Sequence, residues 1–243
     1  MAMLTGLLLV RGCAFAEVGV ISTLQGELDE LLKHTRIEQR IHIAGRDFYR
    51  GVLEGERIVL VRSPMGKVNG AITAQVLVCR FDIEIIVSLG FAGAVDESLK
   101  VGDVIVSRSA VQHDSGVIEP YGFVWEGEAA VHKTRADGLE AWAESRGYSR
   151  GTIASGDQFV ASEEKREWIR AKFGAVAVDM GSAAIEEVCS QNGIGFFLIR
   201  VISDRADSQA RSHFAQAARS GSYKSVEVAR EFLRHFNHSG RSK

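Results

Sequence analysis

The segment Ile83–Leu89, IEIIVSL, constrains the fold more than any other stretch of the chain. It is a near-continuous apolar run of strand length. That is the pattern of a strand covered on both faces, as in a sheet sandwiched between helices. The rest of the chain agrees, because short β-branched runs alternate with longer helical patterns, the order of an α/β domain. Val18–Ser22 reads as a strand and Leu24–His34 as the helix after it, with Ser22 and Gln25 at capping-box spacing. Phe48–Leu53 and Arg57–Arg62 read as an antiparallel pair turned at Glu54-Gly55, and Asn69–Cys79 as a helix of small residues. Further strands are expected at Val104–Ser107, Thr152–Ser155, Ala175–Asp179 and Phe196–Ile202. Helices are expected at about Ala136–Ser145, Ser162–Lys172, Ser182–Gln191 and Ser222–Phe236.

A chain of 243 residues without repeat, low-complexity segment or linker suits one domain, placed at 17–243. Lys and Arg number 29 against 31 Asp and Glu, with no basic block, so nucleic acid is an unexpected partner and a small molecule or another protein chain an expected one. Cys13, Cys79 and Cys189 are odd in number and widely spaced, which fits packing residues in a reducing compartment better than disulfides or a metal site. Residues 1–16 contain the apolar run Leu4–Val10, yet no Lys or Arg precedes it and Arg11 follows it. They read as an N-terminal extension of a cytoplasmic protein, with a weak export signal as the competing reading. No apolar run is long enough for a membrane span.

In sheets of this kind ligands bind beyond the carboxyl ends of the strands, so the residues after each strand carry the functional signal. Those residues are TLQGE, SPMGKVNGA, GFAGAV, GDQFV, MGSAA and SDRAD in turn. Glycine, small residues and isolated carboxylates recur among them. Gly90-Phe91-Ala92-Gly93 by itself is ordinary turn chemistry, and it lacks the third glycine of a dinucleotide fingerprint and the Gly-Lys-Ser/Thr of a phosphate loop. Glu27 by itself reads as an exposed helix glutamate. Asp204 is sharper, because a carboxylate directly after an apolar strand needs a partner or a purpose; capping a helix with Ser203 or Asp204 is the plain alternative. Arg200, inside that strand, must be paired if buried, and a carboxylate in a site would satisfy it. His113-Asp114 lacks a second ligand pair at metal spacing and reads as structural.

Together, GVISTLQGELDEL, SPMGKVNGA, GFAGAVDESLKVGDVIVS, SGDQFV, VDMGSAAIEEVC and RVISDRAD resemble the successive motifs of 5′-methylthioadenosine/S-adenosylhomocysteine nucleosidase, of the purine nucleoside phosphorylase superfamily. The resemblance runs from about Val18 to Phe236. It implies a three-layer α/β/α sandwich around a mixed sheet, a homodimer, no cofactor and no metal. It also implies hydrolysis of the bond between adenine and ribose. Asp204 would protonate or hydrogen-bond the purine N7, and Glu27 would activate the attacking water. A poor leaving group needs an acid and a weak nucleophile needs a base, as at an inverting glycosidase. By the same resemblance the Phe159–Val160 backbone meets the adenine edge with Phe159 stacked on the ring. Met180 and Met65 line the ribose and its 5′ substituent, Phe214 covers the alkylthio arm, and Val117 of the neighbouring subunit completes that pocket. Ala92, Gly93, Arg200 and Ser203 fall in the same substrate-binding set.

The chain departs from the family at two positions. Gly181 stands where the family has a glutamate that accepts the ribose 2′- and 3′-hydroxyl protons, and Phe91 stands where a small hydroxyl residue is usual. A lost charged hydrogen bond costs roughly 1.5–3 kcal/mol, part of it in the transition state. Altered specificity or reduced activity is therefore expected. Two other functions compete. A phosphorylase, acting on adenosylated lipid or futalosine-like nucleosides, would need Arg and glycine amides near the first strand, where Ser22–Leu31 has no Arg or Lys. A nucleoside-binding protein without turnover is the other.

Overall fold

The computed structural model describes residues 16–107, 109–126, 139–220 and 223–239. Cys13 and nearly all of the N-terminal extension lie outside them, as do the first residues expected in the helix at Ala136–Ser145. The strands are β1 (Glu17–Ser22), β2 (Arg36–Ile43), β3 (Arg46–Leu53), β4 (Glu56–Arg62), β5 (Ile83–Ala94), β6 (Val104–Ser107), β7 (Ala110–Gln112), β8 (Gly116–Glu119), β9 (Gly122–Trp125), β10 (Ser149–Arg150), β11 (Ile153–Ser155), β12 (Ala177–Asp179) and β13 (Gly195–Asp204). The helices are α1 (Gln25–His34), α2 (Lys67–Arg80), α3 (Leu139–Ser145), α4 (Glu163–Phe173), α5 (Ser182–Gln191), α6 (Ala210–Arg219) and α7 (Lys224–Ser239). None of the described helices is long and apolar enough to cross a membrane.

The principal sheet runs β10-β6-β13-β5-β1-β4-β3-β2 and is mixed: β5 lies parallel to β1 and β13, while β13 and β6 are antiparallel. Alternate residues of β5 supply two separate cores. Ile85, Val87 and Leu89 pack with Leu28 and Leu31 of α1 and Val226, Ala229 and Phe232 of α7; Ile86, Ala92 and Ala94 pack with Ala74 and Leu77 of α2 and Ile185 and Cys189 of α5. One strand feeding helices on both faces gives the cover expected of the apolar run and the three-layer α/β/α arrangement that the resemblance implies. Cys189, fully buried in the second core, is a packing residue as expected, whereas Cys79, near the end of α2, is exposed and is not.

Several elements differ from their sequence expectation. The strand begun at Ile83 does not turn at Gly90 but continues to Ala94, so GFAGA is strand rather than turn. Ser22 caps nothing: its hydroxyl is buried without a partner, the residue before α1 is Leu24, and Glu27 accepts from the Thr23 and Leu24 amides at 3.3 and 3.2 Å. β2 is an additional strand whose sequence, RIEQRIHI, is polar because its burial is slight; it pairs along β3 as a sheet edge. α6 and the short strands β7 to β10 likewise lie outside the expected elements.

Candidate active site

The prolonged β5 builds the site. Its far end pairs on one side with β13, where Val201 faces Phe91 and Asp204 faces Gly93. On the other side it pairs antiparallel with β12, where Val178 faces Gly93 and Ala177 faces Ala94. The carboxyl ends of three strands thus meet around Gly93, and a cleft of about 750 Å³, open mouth included, lies against them. Phe91, Ala92 and Gly93 of β5, Asp179 at the end of β12 with Met180 and Gly181 after it, and Arg200, Ser203 and Asp204 of β13 all line it. So do Met65, Phe159, Val160 and Phe214, and the wall is largely apolar.

Asp204 owes its placement to a bulge. Ile202 pairs with Ala92 and Asp204 with the next residue, Gly93, so Ser203 is the extra residue, which turns the carboxylate into the cleft. Gly93 must be glycine for a steric reason: a Cβ there would lie 2.8 Å from Asp204 Oδ1. Asp204 is buried, and burial pushes its pKa up, against the lowering effect of two donors. These are the Ser203 hydroxyl, at 2.7 Å from Oδ2, and the Ala206 amide, at 2.9 Å from Oδ1. A carboxyl with a raised pKa in an apolar cleft is equipped to deliver a proton.

Arg200 lines the cleft as expected of a residue of this set, but its hydrogen bonds go to the protein. Its Nε donates to Asp179 Oδ2 at 2.8 Å, Nη1 donates to the carbonyls of Ser88 and Ile199, and Nη2 to the hydroxyls of Ser88 and Ser182. All five guanidinium protons are committed, so its flank borders the cleft while its donors point elsewhere. The partner it required is Asp179. Burial would raise that carboxyl, but the Arg200 charge and the hydroxyls of Ser155 and Ser182 overcome it and hold the pKa below its ordinary value. Asp179 Oδ1 also takes the Gly181 and Ser182 amides, at 3.1 and 3.2 Å, and so caps α5. With both oxygens occupied, Asp179 cannot stand in for the carboxylate missing at Gly181. That position has room for one: a Cβ on Gly181 meets only the Gly66 carbonyl at 3.7 Å, and its φ of −167° lies outside the left-handed region that favours glycine.

Glu27 is not the exposed helix glutamate that its position alone suggests, nor does it reach the cleft wall. It is fully buried, one residue layer behind Thr23 and Leu24, which do line the cleft and whose amides it accepts. Its other oxygen accepts from Ser225 Oγ of α7 at 2.6 Å. Burial raises its pKa, while Ser225, the Leu24 amide, the Arg200 charge and the Thr23 amide pull it back. The β5 backbone presses on the same spot: at Gly90, φ is +158° and a Cβ would sit 2.5 Å from Thr23 Oγ1, so only glycine fits.

Three rings close the cleft. Phe91 meets Phe214 edge-on with centroids 6.1 Å apart, and Phe214 meets Phe159 at 5.7 Å. Phe91 also packs on the core shared by α1 and α7. Phe91→Ser is therefore expected to shift preference among nucleosides differing at the sugar and also to lower the melting temperature; specificity constants and a thermal melt measure both. Unchanged specificity with a lowered melt would make Phe91 a core residue only. Val117, on the β8–β9 hairpin, is 42% exposed and does not line this chain's own cleft. His113 is buried, which pushes its pKa down to about 4, and the neighbouring Asp114 bonds Lys67 Nζ at 2.7 Å and the Asp157 amide at 2.8 Å. Asp114 thereby fastens the start of α2 to the loop before Phe159, while both ring nitrogens of His113 are buried without a hydrogen-bond partner. Ser63, Pro64, Gly66 and Gln158 also line the cleft; they belong to the strand-end segments SPMGKVNGA and GDQFV, although none of them was expected individually as a site residue.

The phosphorylase superfamily model matches residues 17–235. The chain is 30% identical over 228 residues to an aminodeoxyfutalosine nucleosidase of Helicobacter pylori, covering 90% of this chain and 96% of that one. It is 33% identical over 205 residues to a 5′-methylthioadenosine/S-adenosylhomocysteine nucleosidase of Staphylococcus aureus, covering 81% and 90%. Among solved structures, the S-adenosylhomocysteine nucleosidase of Streptococcus pyogenes in complex with 5-methylthiotubericidin superimposes with a TM-score of 0.81 at 28% identity, covering 92% of this chain and 99% of that one. The Helicobacter pylori nucleosidase with butyl-thio-DADMe-Immucillin-A gives 0.80 at 28% identity, covering 91% and 100%.

Proposed function

The chain belongs to the phosphorylase superfamily, and from that premise we propose that it hydrolyses the adenine–ribose bond of 5′-methylthioadenosine- or S-adenosylhomocysteine-like nucleosides. The observation that carries the reading is Asp204, a carboxyl with a raised pKa at the floor of an apolar cleft large enough for a nucleoside. Asp204 gives its proton to N7 of the purine as the C1′–N9 bond breaks and its electron pair passes to the base. Water attacks C1′ from the side of Thr23 and Gly90, and Glu27, directly behind them, takes the proton that the water loses on the one carboxylate lone pair that its three donors leave free. The products are adenine and the free sugar. Phe159 and Val160 hold the base, Met180 and Met65 the sugar and its 5′ substituent, and Phe214 the arm.

Hydrolysis is favoured over phosphorolysis by the donors available. A phosphate at the water's position would need cations and free N–H groups, whereas Arg200 has none to spare and the nearest carboxylate, Glu27, repels an anion. Incubation with 5′-methylthioadenosine, S-adenosylhomocysteine and aminodeoxyfutalosine, each with and without phosphate, tests the proposal. Adenine release independent of phosphate, with a free sugar as product, is expected. A sugar 1-phosphate would make the chain a phosphorylase, and tight binding without release would make it a binding protein. Aminodeoxyfutalosine belongs in the panel because a Helicobacter pylori nucleosidase named for it matches nearly the whole chain.

The empty space at Gly181 bears on the sugar. With no carboxylate to read the hydroxyls, ribo- and 2′-deoxynucleosides should be discriminated poorly. Gly181→Glu is expected to raise kcat/KM for methylthioadenosine roughly tenfold, about 1.4 kcal/mol of transition-state binding, with a much smaller gain for the 2′-deoxy analogue. Equal gains on both sugars would mean that another group reads the hydroxyls.

The homodimer belongs to the same proposal. Ile118 and Tyr121 of the β8–β9 hairpin are 86% and 81% exposed, and Val68 on α2 is 67% exposed, beside Met65 at the cleft mouth. A second copy covering these residues would bring its own Val117 to the 5′ end of the cleft.

A further inference from the structure

We infer that Ser225 is a positioning residue for the water-activating carboxylate, its hydroxyl fixing Glu27 from a helix 198 residues further along the chain. The inference rests on the proposed role of Glu27 as base. Ser225 is the second residue of α7 and is completely buried. Its Oγ lies 2.6 Å from Glu27 Oε1, while Oε2 is taken by the Thr23 and Leu24 amides. The two sides of the carboxylate are thus held by different parts of the chain: one by the loop that lines the cleft, the other by the C-terminal helix. A buried base faces a physical conflict, since burial favours its neutral form while it must be ionised to accept a proton. Donors aimed at the anion resolve the conflict, and Ser225 supplies the only side-chain donor to Glu27 among the described residues.

The other groups around Glu27 cannot replace it. Arg200 of β13 acts through its charge, but its protons are committed to Asp179, Ser88, Ile199 and Ser182. Tyr223, just before α7, lies against Gly26, where a Cβ would meet its hydroxyl. On α1 itself Asp29 is exposed and Glu30 pairs with Lys33 and His34 at the surface. Removing the Ser225 hydroxyl therefore raises the Glu27 pKa and leaves the carboxylate free to change rotamer. Because the base works only when ionised, the acid limb of the pH–rate profile moves to higher pH.

The test compares Ser225→Ala, Ser225→Thr and Glu27→Gln in the full chain. The readouts are pH profiles of methylthioadenosine cleavage, thermal melts, and the titration of the Glu27 carboxyl followed by NMR. Ser225→Ala is expected to lower kcat about tenfold with KM little changed, and to move the acid limb and the Glu27 titration upward together. Ser225→Thr, which keeps the hydroxyl, restores much of both. A Ser225→Ala protein with wild-type kcat and an unmoved Glu27 titration overturns the inference, even if its melting temperature falls. If Ser225→Ala does not fold, Ser225→Cys, a much weaker donor, should move the limb in the same direction, and an unmoved limb there is equally fatal. Turnover that survives Glu27→Gln overturns the role of Glu27 instead, a result distinct from a failure at Ser225.

Discussion

Asp204→Asn is expected to lose at least about 10²-fold in adenine release, the range over which a general acid acts. Asparagine keeps the shape: its amide oxygen can still accept from the Ala206 amide, and its NH2 then faces Ser203 Oγ, which must turn to accept instead of donating, so the bulge and the fold should survive with a modest loss of stability. It can also offer an N–H to the purine, so substrate should still bind. What it cannot do is give up a proton as the glycosidic bond breaks. The pH dependence has a definite sign: the acid is active when protonated, and burial raises its pKa, so wild-type activity falls as pH rises through that raised value. The variant should lose this alkaline limb along with the rate. Single-turnover adenine release together with a binding isotherm would decide the matter, and near-normal turnover in a folded variant would remove Asp204 from the chemistry.

Glu27→Gln should abolish turnover while leaving adenine or methylthioadenosine binding largely intact. The cleft wall is formed by Thr23 and Leu24 rather than by Glu27, so the binding surface keeps its residues. The amide oxygen can still accept on one side, but the NH2 then faces either the Ser225 hydroxyl or the two backbone amides. A modest fall in melting temperature is expected from that mismatch. The wild-type pH profile should fall on its acid side as Glu27 takes up a proton, at a pH above the ordinary glutamate range because burial raises its pKa. Equilibrium binding and steady-state rates measured on one preparation separate the outcomes. Binding lost in parallel with turnover would make Glu27 a residue of the fold.

Much of the molecule was legible because local pattern and tertiary role coincide. The apolar run at Ile83–Leu89 required cover on both faces, and α1 and α7 on one side and α2 and α5 on the other provide it. Ser182–Gln191 is helix over its expected span because its alternation of small and apolar residues presents one face to the sheet. Asp204, Phe159 and Met180 fall around one cleft, as their places after strands implied, and Phe214 of α6 joins them, as the resemblance implied.

What the sequence determined, then, was which residues stand at the strand ends and in what order, since hydrophobic periodicity marks the elements and the ligand end of such a sheet follows from their order. Only the tertiary structure decided how those ends join. The strand at Ile83 runs through its own glycines because β12 and β13 offer it backbone partners on both sides, and no local pattern records a partner more than eighty residues away. The bulge at Ser203 is likewise a matter of register between two strands. Arg200 carries its need for a carboxylate in the sequence, but that the carboxylate is Asp179 rather than a group turned to substrate is a fact of three-dimensional proximity. Glu27 shows the same division most plainly. Its place in the first turn of a helix was readable, whereas its complete burial and its bond to Ser225 arise where α7 packs on α1. Burial and hydrogen bonding set the proton affinity of a carboxylate, and both depend on neighbours that folding alone brings together.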